Sequence, residues 1–337
     1  MAQVSPLAPA PDAAASDARR HGRAEVQPCL SCVIPCRNEA DNLDILLPRL
    51  RAVLEPLTPT WEIILVDDGS SDATAERLAV WARTPGIRAL ELSRNFGKEA
   101  ALTAGLQAAR GDVVVMLDAD LQHAPELIPV MLEHWRRGAD NVYTVRADRR
   151  DEGLFKRIGA WGFYGLVNTG DRVKIPPDAG DFRLLDRSVV DALLALPERN
   201  RFMKGLYAWV GFESAAVPYT PAPRAAGRSH FRPWRLVRFA LDGLVGFTTW
   251  PLRLVTLMGF AIAALAFAYG GYLVVDYVLH GHHISGWTTI VVGVMFSAGL
   301  QLVSLGVVGE YVGRIFEEVK QRPVYLVKRQ HGRGLGE

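Results

Sequence analysis

Apolar residues fall into short runs along the first two thirds of the chain and into two long runs near its end. Positions 30–35, 61–66, 87–92 and 113–117 are nearly continuous apolar stretches of strand length. Between them, 38–54, 73–84 and 98–110 carry apolar residues at i, i+3, i+4 spacing and predict helices. Strands that are apolar throughout, and not merely on alternate positions, belong to a sheet covered on both faces. The β-α alternation therefore predicts an α/β fold built on a mostly parallel sheet.

Past position 250 the pattern changes. Segments 254–275 and 287–308 contain no Asp, Glu, Lys or Arg, and as helices each would reach about 33 Å, enough to cross a bilayer. Trp250 and Trp287 stand where interfacial anchors are expected. The connecting loop 276–286 has no Lys or Arg, whereas 224–253 and 314–333 have six each. By the positive-inside rule both flanks are cytoplasmic, so the chain is expected to be a multi-pass protein of the bacterial inner (cytoplasmic) membrane with both termini inside. His280, His282 and His283 in the loop could ligate a metal, but an exposed polar turn is the favoured account of them. Leu236, Phe239, Ala240, Leu244 and Phe247 share one helical face, with Arg235, Arg238 and Asp242 off it, which suits a membrane-surface helix. Segment 155–167 has a similar mixture, which would serve the membrane or the domain's own core. The expected layout is a disordered tail over 1–27, a catalytic domain over 28–232, a juxtamembrane helix over 233–250, a hairpin over 251–311 and a C-terminal tail over 312–337.

Charge narrows the field. With 38 Lys and Arg against 36 Asp and Glu in 337 residues, there is no excess of positive charge to mark a dedicated nucleic-acid binder. The cysteines, Cys29, Cys32 and Cys36, crowd into one eight-residue stretch that reads as a strand, with no fourth ligand near. That fits a reducing compartment better than a zinc or iron–sulfur site. Segment 1–27 lacks the apolar core of a signal peptide.

In open α/β sheets ligands sit outside the carboxyl ends of the strands, and four polar clusters occupy such places. Cys36-Arg37-Asn38-Glu39 follows the first strand, and Asp67-Asp68-Gly69-Ser70-Ser71-Asp72 follows the second. The latter divides between ligand chemistry, centred on Asp67, and turn or capping chemistry, centred on Asp72. Asp118-Ala119-Asp120-Leu121-Gln122-His123 follows the apolar run at 113–117. Two carboxylates one residue apart at a buried strand's end can share Mg2+ or Mn2+, leaving positions for diphosphate oxygens. Cations come from Arg94, Lys98, Arg183, Arg201 and Lys204, any of which could equally be solvated surface charge.

These clusters, together with Gly180-Asp181-Phe182-Arg183 and Asn200-Arg201-Phe202-Met203-Lys204-Gly205, form an ordered series. From Val33-Ile34-Pro35 through Ser93-Arg94-Asn95-Phe96-Gly97-Lys98 to the last of them, the series resembles the glycosyltransferase family 2 polyprenyl-phosphate glycosyltransferases. This is the group of dolichol-phosphate mannose synthase and the bacterial undecaprenyl-phosphate glucosyltransferases.

The resemblance implies a GT-A (Rossmann-like) nucleotide-sugar-binding fold and a metal-dependent, inverting transfer of one sugar to a polyprenyl phosphate. It implies that Asp118, Asp120 and Gln122 hold Mg2+ or Mn2+, and that Pro35, Glu39, Asp67, Lys98 and Asp118 meet the nucleotide-sugar. Asp181 would orient or deprotonate the acceptor, with Asp120 as its catalytic companion. Arg146, Arg157, Arg183, Arg201, Lys204 and Arg224 would grip the acceptor phosphate. The expected donor is UDP-glucose or another UDP-hexose, and the expected acceptor is undecaprenyl phosphate. Arg37 stands where a Tyr is common, His123 where an Asp is common, and His230 where a Lys is common. Gly259 and Ala263, four apart, could pack the hairpin or join protomers into a homo-oligomer. Two rivals are a processive polysaccharide synthase, disfavoured by two spans and no Gln-x-x-Arg-Trp segment, and a non-catalytic membrane-anchored nucleotide-sugar binding or scaffold protein.

Overall fold

β1 (Leu30–Cys36) is buried along almost its whole length, and the sheet is built outward from it on both sides. The structure, a computed structural model, describes residues 23, 26–146, 179–199, 201–220, 250–280 and 286–335. The other strands are β2 (Trp61–Asp67), β3 (Ile87–Leu92), β4 (Val113–Met116), β5 (Asn141–Arg146), β6 (Ala179–Asp186), β7 (Ser214–Tyr219) and β8 (Val327–Gly332). They form one eight-stranded sheet in the order β7-β5-β6-β4-β1-β2-β3-β8. Strands β4, β1, β2 and β3 run parallel, and β6 and β8 are antiparallel to their neighbours. The sheet is thus mixed, with a parallel centre where the apolar runs predicted one.

The crossovers of that centre are α1 (Ala40–Leu57), α2 (Thr74–Trp81) and α3 (Lys98–Ala108). Helix α1 buries Leu43, Leu46, Leu47, Leu50 and Leu54, a single stripe, in one cluster with Leu30, Cys32 and Ile34 of β1. Each such leucine contributes roughly 1.5–3 kcal/mol over an exposed position. On the opposite face α3 comes close because position 105 is glycine, where a Cβ would run into Val33 and Val66. Downstream lie α4 (Ile128–Arg136), α5 (Arg187–Ala195) and α6 (Met203–Trp209). Asp186 caps α5 by accepting the Ser188 N–H, and its other oxygen takes Arg23 at 2.7 Å. Arg23 also pairs with Asp140 and lies over the Trp135 ring. That one residue of the expected N-terminal tail is therefore anchored to the sheet unit.

The C-terminal segment requires a correction. Instead of a tail over 312–337, a helix continues to Val319 and the chain returns to the sheet as β8, antiparallel to β3. Leu326 O accepts the Ser93 N–H, Tyr325 Oη donates to Gln107, and His331 meets Glu91 at 2.9 Å. Glu62, 0% exposed, accepts from Ser31 Oγ (2.6 Å), Arg110 N (2.8 Å) and Leu335 N (3.0 Å). A buried carboxylate needs such donors, and here one comes from near the chain's end.

A second compact unit contains α7 (Trp250–His280) and α8 (Trp287–Val319), of 31 and 33 residues. Both are long and apolar enough to cross a membrane, with candidate spans Val255–Leu273 and Val292–Val319. Their apolar side chains face outward, including Phe260, Phe267, Phe296 and Leu302. The expected helix at 235–247, the segment 155–167 and the histidines at 282 and 283 lie outside the described residues.

Candidate active site

The carboxyl ends of the parallel strands are sewn together by main-chain and short side-chain bonds. Asn38, at φ 57°, receives the Ser71 N–H on Oδ1 and gives its own N–H to Ser70 Oγ. The Glu39 N–H goes to Thr74 Oγ1, and the Asp68 N–H to Cys36 O. Gly69, at φ +65°, lies so close to Arg94 and Asn95 that a Cβ would sit 2.6 Å from their backbone atoms. Asp68, only 4% exposed, accepts the Phe96 N–H at 2.7 Å and the Gly97 N–H at 3.1 Å. These contacts fix the loop that starts α3, and with it Lys98.

Lys98 Nζ lies 2.8 Å from the Asp118 carboxylate, beyond β4, and 2.7 Å from Asp181 Oδ2, in β6. Lys204, from α6, stands 3.8 Å from Asp181. Burial alone would raise Asp181, but Lys98 and Lys204 outweigh it and hold the carboxyl at about 2. The same two carboxylates raise Lys98 against the opposing effect of burial. At neutral pH Asp181 and Lys98 are therefore both charged.

A cavity of about 330 Å³ opens beside this group, lined by Pro35, Cys36, Arg37, Glu39, Asp68, Gly97, Lys98, Asp118, Ala119 and Asp120. Five of the expected donor and metal residues, Pro35, Glu39, Lys98, Asp118 and Asp120, thus meet in one cleft. Gln122 is held next to it, its N–H bonded to Asp120 Oδ1. Asp67 lies at the end of β2, and its carboxyl, raised by burial against the Ser70 bonds, is tied to Ser70. In its place Asp68 lines the cleft. The sequence reading placed this contact at Asp67, the last residue of β2, whereas Asp68, which follows the strand, borders the cavity. Asp72 accepts the Thr74 N–H in the local turn.

Among the described residues no three His, Cys, Asp or Glu side chains are grouped to hold a metal. The donor set is two carboxylates and an amide, all hard oxygen donors. It fits an ion such as Mg2+ or Mn2+ that keeps positions for water and phosphate oxygens. Cys32 and Cys36 are buried, their thiols raised by desolvation, and are packing residues and not ligands.

Two expected phosphate ligands are held by the protein's own groups. Arg183, 2% exposed, lies over the Tyr143 and Tyr207 rings and donates to Gly180 O and Asn141 Oδ1. Arg201 is buried and donates to Leu196 O and Glu198 O, satisfying carbonyls after α5. Burying an arginine is tolerable only with such partners, and these hold both side chains against the fold. Arg183 and Lys204 also line a second cavity of about 140 Å³ with Tyr143 and Tyr207. Arg146 is exposed at the end of β5, while Arg157, Arg224 and His230 lie outside the described residues.

The sequence reading missed Glu99, the second residue of α3. Its carboxyl takes the Met203 N–H, its Oε2 is buried without a partner, and burial with Asp181 nearby raises it to about 8 against Lys98 and Lys204. His123, buried and kept neutral by desolvation, packs against Phe182 and Tyr219.

Comparison with known proteins places the chain in a family. Residues 31–194 match glycosyl transferase family 2, and residues 250–315 match the GtrB C-terminal hairpin. An uncharacterized glycosyltransferase of Synechocystis is 47% identical, over 88% of this chain and 94% of its own length. The chain belongs to glycosyl transferase family 2. Further relatives are the SfII prophage-derived bactoprenol glucosyl transferase of Shigella flexneri, 42% identical over 90% of this chain and 98% of its own, and a prophage bactoprenol glucosyl transferase homolog of Escherichia coli, 41% identical over 89% and 98%. The sheet unit is accordingly the family's GT-A-type catalytic fold, and α7 with α8 is its C-terminal hairpin.

Proposed function

We propose that this glycosyltransferase moves one hexose, glucose from UDP-glucose in the first instance, to the phosphate of undecaprenol at the cytoplasmic face of a bacterial inner membrane, with inversion. The observation that carries the reading is the convergence of Asp118 and Asp181 on Lys98 beside the cleft, because it joins a donor-side carboxylate to an acceptor-side one. The bactoprenol glucosyl transferases among its relatives support the lipid acceptor. The two apolar helices support the membrane setting. The chain leaves the sheet unit before α7 and rejoins it at β8, as an even number of crossings requires.

In this reading Pro35, Glu39 and Asp68 bound the nucleoside end of the cleft, and Lys98 faces the diphosphate. Asp118, Asp120 and Gln122 would hold a divalent cation, which when bound supplies charge stabilisation to the departing diphosphate. An acceptor phosphate is already anionic at neutral pH and needs little activation. Its oxygen attacks the anomeric carbon from the side opposite the leaving group, the new C–O bond forming as the bond to UDP breaks. Asp181, ionised, orients that acceptor without needing to take its proton. Lys204 and Arg146 are the described cations offered to the phosphate, with Arg157 and Arg224 as further candidates.

The test is a panel of UDP- and GDP-sugars with the purified protein, undecaprenyl phosphate and Mg2+ or Mn2+. A lipid bearing one sugar, with release of UDP, is expected. A growing polymer, or donor binding without transfer, would overturn the reading.

A further inference from the structure

Lys98 holds two carboxylates that belong to different halves of the reaction. Asp118 offers both oxygens to the ammonium, each at 2.8 Å, and has no other hydrogen-bond partner among the described residues. Asp181 approaches from β6 at 2.7 Å. We infer that Lys98 is a stand-in cation that occupies Asp118 while the donor site is empty, and that metal and diphosphate together displace it, so that donor loading also takes Lys98 off Asp181. This deepens the proposed function and rests on its assignment of Asp118 to the metal.

The physical case is one of charge. Two cations within about 4 Å of each other repel strongly in a partly desolvated site. A divalent ion arriving alone at Asp118 would therefore have to expel Lys98 without offering it a new partner. Arriving with a nucleoside diphosphate, it brings phosphate oxygens to which the ammonium can turn. Lys98 can make that move because its side chain is 40% exposed and flexible, and it stands at the first residue of α3, whose entry loop is held by Asp68. Asp181 is not left bare when Lys98 turns away, since Lys204 remains at its other oxygen. The metal-side and acceptor-side carboxylates are thus coupled through one side chain.

The test is Mn2+ binding to the purified full-length protein, followed by electron paramagnetic resonance of free Mn2+, with and without UDP. Wild type should bind Mn2+ weakly alone and at least about tenfold more tightly with UDP. Lys98→Met should bind Mn2+ alone about tenfold more tightly than wild type, with the UDP enhancement correspondingly smaller. Lys98→Gln serves as a second variant, and both are checked for an unchanged thermal transition. Lys204→Met, which removes a nearby cation that does not touch Asp118, should leave Mn2+ binding within about twofold. Equal Mn2+ affinity in wild type and both Lys98 variants would overturn the inference, as would an equal gain in Lys204→Met. Failure of the underlying assignment has its own signature, because Asp118→Asn would then bind Mn2+ as well as wild type does.

Discussion

The Tyr219 hydroxyl lies 3.0 Å from His123 Nε2, tying the last residue of β7 to the turn that follows Asp120. His123 Nδ1 is buried without a partner, so this hydroxyl is what satisfies the ring. Tyr219→Phe would leave both nitrogens unsatisfied and should cost roughly 1–3 kcal/mol of stability. Thermal unfolding of the purified protein reads this directly, and an unchanged Tm would show that the pair contributes nothing.

Glu99 gives stability a slope with pH. Burial and Asp181 raise its carboxyl from 4.5 to about 8, so between those values the folded protein keeps a proton that the unfolded chain releases. Folding should therefore weaken as pH rises through that interval, with the full loss present above about pH 8. Glu99→Gln is neutral throughout and lacks the slope. Its Tm advantage over wild type should widen steadily from pH 4.5 to 8; parallel curves would mean that Glu99 is ionised in the fold.

Asp68 shapes the donor cleft by holding the Phe96 and Gly97 N–H groups. Hydrogen bonds to a charged acceptor contribute roughly 1.5–3 kcal/mol each. Asp68→Ala should then weaken UDP binding roughly tenfold to a hundredfold, measured by calorimetry in the presence of Mn2+. Asp67→Ala, whose carboxyl serves Ser70, should weaken it less. The reverse order would return the donor contact to Asp67.

Chelation by EDTA should abolish transfer, and excess Mg2+ or Mn2+ should restore it. Asp120→Ala should lower kcat by about two orders of magnitude or more with its Tm preserved. Near-normal turnover in that variant would remove Asp120 from the reaction.

Gly334 lies against the buried Glu62 carboxylate, where an added Cβ would collide with Oε2. Gly334→Ala should disturb the bonds that Glu62 makes to Ser31, Arg110 and Leu335 and cost roughly 1–3 kcal/mol. Denaturant titration in detergent would measure it, and no loss would indicate that the C-terminal end docks independently of Glu62.

The centre of the sheet was legible because buried parallel strands must be apolar on both faces, so Ile63 to Val66 and Val113 to Met116 are conspicuous in the sequence. The cleft was legible because its carboxylates follow those strands directly. β8 was not, since its sequence is Val-Lys-Arg-Gln-His-Gly and its side chains are mostly exposed at the sheet's edge. Its stability comes from main-chain pairing with β3 and from polar contacts such as His331 with Glu91, neither of which leaves a hydrophobic period. The surroundings of Arg183 and Arg201 were illegible for a related reason. A cation's residue type does not reveal whether it faces a ligand or, as here, an aromatic ring and a carbonyl. Glu99 was hidden by its helical setting, because only tertiary packing brings Met203 and Asp181 to it.

The return of the chain to β3 also sets an order of manufacture. Synthesis runs from the N-terminus, so the strand beside β3 is translated after both long apolar helices. Until then the growing polypeptide holds an unfinished sheet with β3 as its open edge, and Glu62 waits for the Leu335 amide. A ribosome that stops before position 327 therefore leaves an incomplete catalytic unit, and the finished unit is available only once the hairpin sequence has been made.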